Sequence, residues 1–74
     1  MSAVPNPILI DFERRIKRGP TFAARVLGMP YITYAQYRSG ARPFKLFHQR
    51  HIEVILLLPR EAREVYIEGI LNGD

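Results

Sequence analysis

Apolar side chains recur at helical spacing in five segments of the chain, and no segment alternates apolar and polar residues long enough to argue a strand. Ile8, Leu9, Phe12 and Ile16 define the first segment and predict a helix over about residues 7–18. Asn6 can cap its free N–H groups, Pro7 suits its first turn, and the cations of "KRGP" with Gly19 suit its end. Thr21 is the expected cap of a second helix, "FAARVL", whose small Ala23 and Ala24 permit close approach by a neighbour and which stops at Gly28. Pro30 opens a third, "YITYAQYRS", closed by Gly40. A longer helix over 44–58 carries Phe44, Phe47, Ile52 and Ile55, with Val54 and Leu56 to Leu58 less regularly placed, until Pro59 breaks it. The fifth, over 60–71, sets Ala62, Val65, Tyr66, Gly69 and Ile70 on one stripe. The pattern predicts an all-α fold, a compact bundle of about five helices forming a single domain over 1–74.

Length and charge sharpen this picture. A chain of 74 residues supports one small domain with a modest core. The absence of cysteine excludes disulfides and thiolate metal sites and fits a reducing compartment, leaving oligomerisation as the expected means of adding stability. The longest apolar run, "VILLLP", is far short of the roughly 20 residues that span a bilayer, so no membrane association and a cytoplasmic location are expected. Net charge is +4, but residues 14–52 carry nine cations and no carboxylate. Arg14, Arg15, Lys17, Arg18, Arg25, Arg38, Arg42, Lys45 and Arg50 together describe a field suited to a polyanion.

Two short helices joined by a tight glycine turn make a helix-turn-helix when the first offers small residues where the second crosses it. "TFAARVLGMPYITYAQYRSG" supplies Ala24, then Gly28 four residues on, Tyr34 six further and Tyr37 three beyond. In this it resembles the Cro and phage-repressor (lambda-repressor-like) type of helix-turn-helix protein, which has a small Ala in the first helix, Gly in the turn and two apolar anchors on the recognition helix. "YRSGARP" followed by "RHIEVILLLP" also looks like small bacterial and phage regulators in which a glycine-containing loop leads into a longer helix. The resemblance covers roughly residues 8–58. It implies a helix-turn-helix over about 21–39 and double-stranded DNA as partner.

At about 100° per residue, Tyr34 and Tyr37 lie within about 60° of one another, on the side that faces Ala23, Ala24 and Leu27. They are expected as core anchors, not as a stacking platform. The opposite side and its borders then supply the candidate base contacts, Tyr31, Ile32, Ala35, Gln36 and Ser39. Gln36 suits the N6 and N7 of adenine, a bidentate contact worth roughly 1–3 kcal/mol of discrimination, while Ile32 and Ala35 suit a thymine methyl. Candidate phosphate contacts are Thr21, Arg25, Thr33, Arg38, Arg42 and Lys45. The cations at 14, 15, 17 and 18 either join them or merely complement a helix dipole. So apolar a reading face departs from family members that carry several amides there. It suits a protein groove as well, which keeps open a second reading, an inhibitor or adaptor that occupies a host protein.

His48 and His51 stand three apart with no third ligand in view, so neither a metal nor another cofactor is expected; His51 is expected partly buried and His48 exposed. No motif organises Ser39 with either histidine, or Glu61, Glu64 and Glu68 as an acid–base pair, and an enzyme is not expected. "VILLLP" and "VYIEGIL" carry more apolar surface than one side of a small core needs. They predict a homodimer interface of Leu57, Leu58, Tyr66, Ile67, Ile70 and Leu71, with recognition helices on half-sites about 34–36 Å apart. The expected function is a phage or mobile-element repressor that occupies a pseudo-palindromic operator and excludes polymerase.

Overall fold

Asn6 begins the first helix through its side chain: Oδ1 accepts from the N–H of Ile8 at 2.9 Å and of Leu9 at 3.4 Å, with Pro7 at the first position. The computed structural model describes residues 4–73; Met1, Ser2, Ala3 and Asp74, which the single predicted domain also includes, lie outside them. Five helices follow in order, α1 (Pro7–Ile16), α2 (Pro20–Leu27), α3 (Tyr31–Ser39), α4 (Leu46–Leu57) and α5 (Arg60–Asn72), and no strand occurs among the described residues. Among the described residues no helix is long and apolar enough to cross a membrane.

The helix ends depart from the sequence pattern for local reasons. α1 stops at Ile16 because Lys17 turns left-handed, φ 57, letting its N–H and that of Arg18 return to the carbonyls of Arg14 and Glu13. The same closure ends α2 with Gly28 at φ 74 and Met29 bonded back to Ala24, a pairing that glycine reaches without the strain lysine bears. Gly19, expected as the end of the first helix, instead precedes α2 as its cap, Pro20 takes the first helical position, and Thr21, the expected cap, lies within the first turn. α4 begins at Leu46, not Phe44, since the Phe44 ring packs edge-on against Tyr37 at 5.2 Å and stays in the loop. It ends one residue before the expected Leu58, which Pro59 forces into an extended conformation, φ −66 and ψ 141.

Packing centres on α2, which touches all four other helices. Its short, small-residue face makes this possible: Ala23 and Ala24 are fully buried, so neighbouring backbones come close. Around it the core collects Leu9, Phe12 and Ile16 from α1, Val26, Leu27 and Met29, Tyr34 and Tyr37 from α3, and Ile52, Ile55 and Ile67 from the last two helices. The anchoring role expected of the two tyrosines is thus met. On α5 the buried side is not the stripe expected from Ala62 and Val65, both of which are exposed; Ile67 is the fully buried residue, flanked by half-buried Ile70 and Leu71. Arg18 bonds Glu68 at 2.7 Å and Glu64 at 3.5 Å, and Arg25 donates to the carbonyl of Leu71 at 3.0 Å, so three contacts from the α1–α2 side hold α5 in this rotation.

One carboxylate inside the fold governs the placement of α3. Glu13 is buried on α1 and accepts the Tyr34 hydroxyl at 2.5 Å and both Nε and Nη2 of Arg38, at 2.8 and 3.1 Å. Burial, reinforced by the adjacent carboxylate, pushes the Tyr34 hydroxyl far above its ordinary pKa and keeps it a donor. The chain before α1 completes the clamp: the N–H of Asn6 donates to the carbonyl of Arg38 at 2.8 Å. Gly40, φ 85, lies so close beneath it that an added Cβ would sit 2.1 Å from the Val4 oxygen.

Two stability measurements check this. Glu13→Ala leaves the Tyr34 hydroxyl and the Arg38 guanidinium without their acceptor and is expected to lower the free energy of unfolding by about 2–4 kcal/mol in urea melts, whereas Tyr34→Phe removes one bond and is expected to lower it by about 1 kcal/mol. Gly40→Ala meets both a left-handed backbone and the Val4 carbonyl. It is expected to lower unfolding free energy by more than about 1 kcal/mol and to raise amide exchange at Asn6.

Candidate nucleic-acid interface

The candidate surface is the side of α3 that the tyrosine anchors leave outward. Tyr31 is 51% and Ile32 72% exposed, at the N-terminal end of the helix, and no carboxylate lies on α3. Ala35 and Thr33 are half-buried further along. Gln36 departs from its expected role: its Oε1 is buried and has no hydrogen-bond partner among the described residues. A bidentate adenine contact needs that oxygen presented outward, so the side chain as it stands does not offer the adenine edge what the spacing had promised. Ser39 is exposed, but its hydroxyl donates to the Gln36 carbonyl at 3.3 Å and accepts from the N–H of Ala41 at 3.4 Å. Its chemistry serves to close the loop after α3.

The cations divide into two groups that the sequence could not separate. Arg14 and Arg15 bond Asp11, whose carboxyl the Arg14 bond above all holds below the ordinary range. Arg18 bonds α5, Arg50 bonds Glu53 at 3.1 Å, and Arg38, expected at a phosphate, is spent on Glu13. Moving off Glu13 would strand a buried carboxylate, while the pairing leaves Nη1 of this 40% exposed side chain without a bond to Glu13. Among the described residues Lys17, Arg25, Arg42 and Lys45 make no ion pair, and of these Arg25 is tethered to the Leu71 carbonyl. Thr21 is exposed near the start of α2.

Arg42 and Lys45 sit on an aromatic base. The guanidinium of Arg42 lies 5.7 Å from the Tyr37 ring centroid and the ammonium of Lys45 lies 6.0 Å from that of Phe47. Beneath them Phe44, His48 and Tyr37 pack as one cluster, with His48 5.9 Å from Phe44, 5.7 Å from Tyr37 and 4.2 Å from Phe47. The Arg42 N–H also returns to the Gln36 carbonyl at 3.1 Å. The loop therefore carries its two charges over aromatic rings beside the end of α3. This cluster was hard to see in the sequence, since Phe44 read only as a periodic member of a helix and His48 as an exposed residue.

The expected dimer residues are dispersed. Leu57 and Tyr66 are exposed, Leu58, Ile70 and Leu71 are half-buried, and Ile67 is fully buried within its own chain, so its assignment to an interface is corrected. Tyr66 instead shares a 3.0 Å hydrogen bond with His51. His48, expected exposed, is half-buried like His51.

Burial lowers the pKa of His48 from 6.5, with the charges of His51 and Lys45 adding to the effect. The unfolded chain therefore binds more protons than the folded one as pH falls through this range, and stability rises with pH there. Urea midpoints are expected to drop on going from about pH 7.5 to about pH 5.5, and His48→Leu is expected to flatten that dependence.

Compared with family models, with curated proteins and with solved structures, the chain matches none.

Proposed function

We propose that this chain is a small sequence-specific DNA-binding regulator, of the kind that represses transcription for a phage or mobile element, laying the outer face of α3 into the major groove. The observation that carries the reading is the α2–turn–α3 unit. α3 is anchored through Tyr34 and Tyr37, turned at Gly28, and projects a carboxylate-free N-terminal face of Tyr31 and Ile32. Ile32, with Ala35 behind it, fits the methyl group of thymine, and the Tyr31 hydroxyl fits a phosphate or base edge. Arg42 and Lys45 flank the far end of that face, where the duplex backbone passes, and Thr21 and Arg25 lie on the helix that crosses it. The first-turn N–H groups of α2 and α3, which have no side-chain cap, suit phosphate oxygens.

A second reading rests on the 72% exposure of Ile32, which equally fits an apolar groove on a host protein. The two separate in one set of measurements. Fluorescence anisotropy with duplex genomic fragments is expected to show binding that weakens with salt. Arg42→Ala is expected to weaken all duplexes alike and to reduce the salt slope by about 1, while Ile32→Ala is expected to erode preference for the cognate site with the slope unchanged. Absence of binding at low salt overturns the DNA reading. Capture of one stoichiometric protein from nuclease-treated lysate, lost in Ile32→Asp and kept in Arg42→Ala, supports the second.

A further inference from the structure

α4 is apolar on two opposite sides, and only one of them belongs to the core. Ile52 and Ile55 are buried, with His48 and Leu56 half-buried beside them. On the other side Leu46, Phe47, Val54 and Leu57 are between 58% and 82% exposed. At about 100° per residue these four, with Arg50 and Glu53, fall within an arc of about 120°. The helix thus holds an outward stripe as wide as its inward one. Tyr66 extends the patch from α5 through its bond to His51, which lies on the border of the stripe next to Phe47 and Val54.

The order of residues along this stripe specifies its occupant. Read from the start of α4 it runs apolar (Leu46, Phe47), basic (Arg50), acidic (Glu53), apolar (Val54, Leu57). Rotated by a two-fold axis through its middle, near His51 and Ile52, the stripe meets itself with each feature opposite its complement. Leu46 faces Leu57 of the second copy, Phe47 faces Val54, and Arg50 faces Glu53. An isologous interface demands this self-complementarity, and an unrelated partner does not. Within one chain Arg50 and Glu53 bond at 3.1 Å and both remain well exposed. In the pair each can keep that partner and gain a second.

We propose that two copies of this chain associate through the outward faces of α4, packed antiparallel about a two-fold axis near residues 51–52. The interface differs from one built on Ile67, Ile70 and Leu71, which the core already uses. It is independent of whether α3 binds DNA, since its readout contains no nucleic acid.

Sedimentation equilibrium and native mass spectrometry of the whole chain test it. At about 100 µM the natural chain is expected to have twice the monomer mass. Arg50→Glu alone and Glu53→Arg alone each place like charges opposite one another and are expected to raise the dimer dissociation constant more than tenfold, with helical circular dichroism and melting little changed. An equimolar mixture of the two variants is expected to recover a dimer, and native mass spectrometry to find it heterodimeric. Leu57→Arg supplies a second probe from the apolar end and is expected to give monomer. A natural chain that stays monomeric at this concentration overturns the proposal. So does a dimer indifferent to both charge reversals and to Leu57→Arg, or a mixture that fails to pair.

Discussion

Glu13 is the point on which the rest of the molecule turns. A carboxylate removed from water is costly unless its oxygens are fully engaged, and three donors from α3 engage this one. Tyr34 reaches it from the middle of the helix and Arg38 from the last turn, so α1 controls both the rotation of α3 about its axis and the height of its C-terminal end. The backbone bond from Asn6 to Arg38 and the close contact of Val4 with Gly40 add a brace at the same end. With Tyr34 and Tyr37 turned inward, Tyr31 and Ile32 have nowhere to go but outward. The exposed face of α3 is thus a consequence of a buried carboxylate bonded to its other side.

The same pairing alters the electrostatic picture. A run of nine cations without a carboxylate reads as an extended basic surface, yet folding brings Asp11, Glu13, Glu53, Glu64 and Glu68 against five of them. Most of these pairs are exposed, and such pairs add little to stability. Their effect is on the field: opposite charges a few ångströms apart cancel beyond about a Debye length, roughly 8–10 Å in physiological salt. What remains positive near α3 is local, Arg42 and Lys45 set on the Tyr37, Phe44, Phe47 and His48 cluster.

In so small a chain every helix is asked to serve the core, and α4 has surplus. Its inward side meets α1 and α2, while its outward side repeats the apolar character with a central charge pair. Domains of this size gain little from core burial alone. A second apolar face on one helix is an economical place from which to add more.

The five helices were legible because their signals are local. Asn6–Pro7, Gly28, Gly40 and Pro59 act within one turn of where they stand, through capping, left-handed backbone or a missing N–H. The inward turn of Tyr34 and Tyr37 followed from helical periodicity alone, as did the outward turn of Tyr31 and Ile32. Periodicity misled for α5, where so much of the circumference is apolar that Val65 was placed inward and Ile67 outward; the packing of Ile67 into the core reversed that order, with the bonds of Arg18 and Arg25 on the same helix. No local pattern places Glu13 beside Arg38, since 25 residues separate them and only the packing of α1 on α3 brings them within reach. By itself the sequence determined which segments are helical and which side of α3 is apolar enough to anchor, because those depend on neighbours along the chain. Which charges are spent, which way Gln36 turns its oxygen, and which apolar face of α4 stays in water were decided only by the tertiary structure, because each depends on what distant residues fill the space beside it.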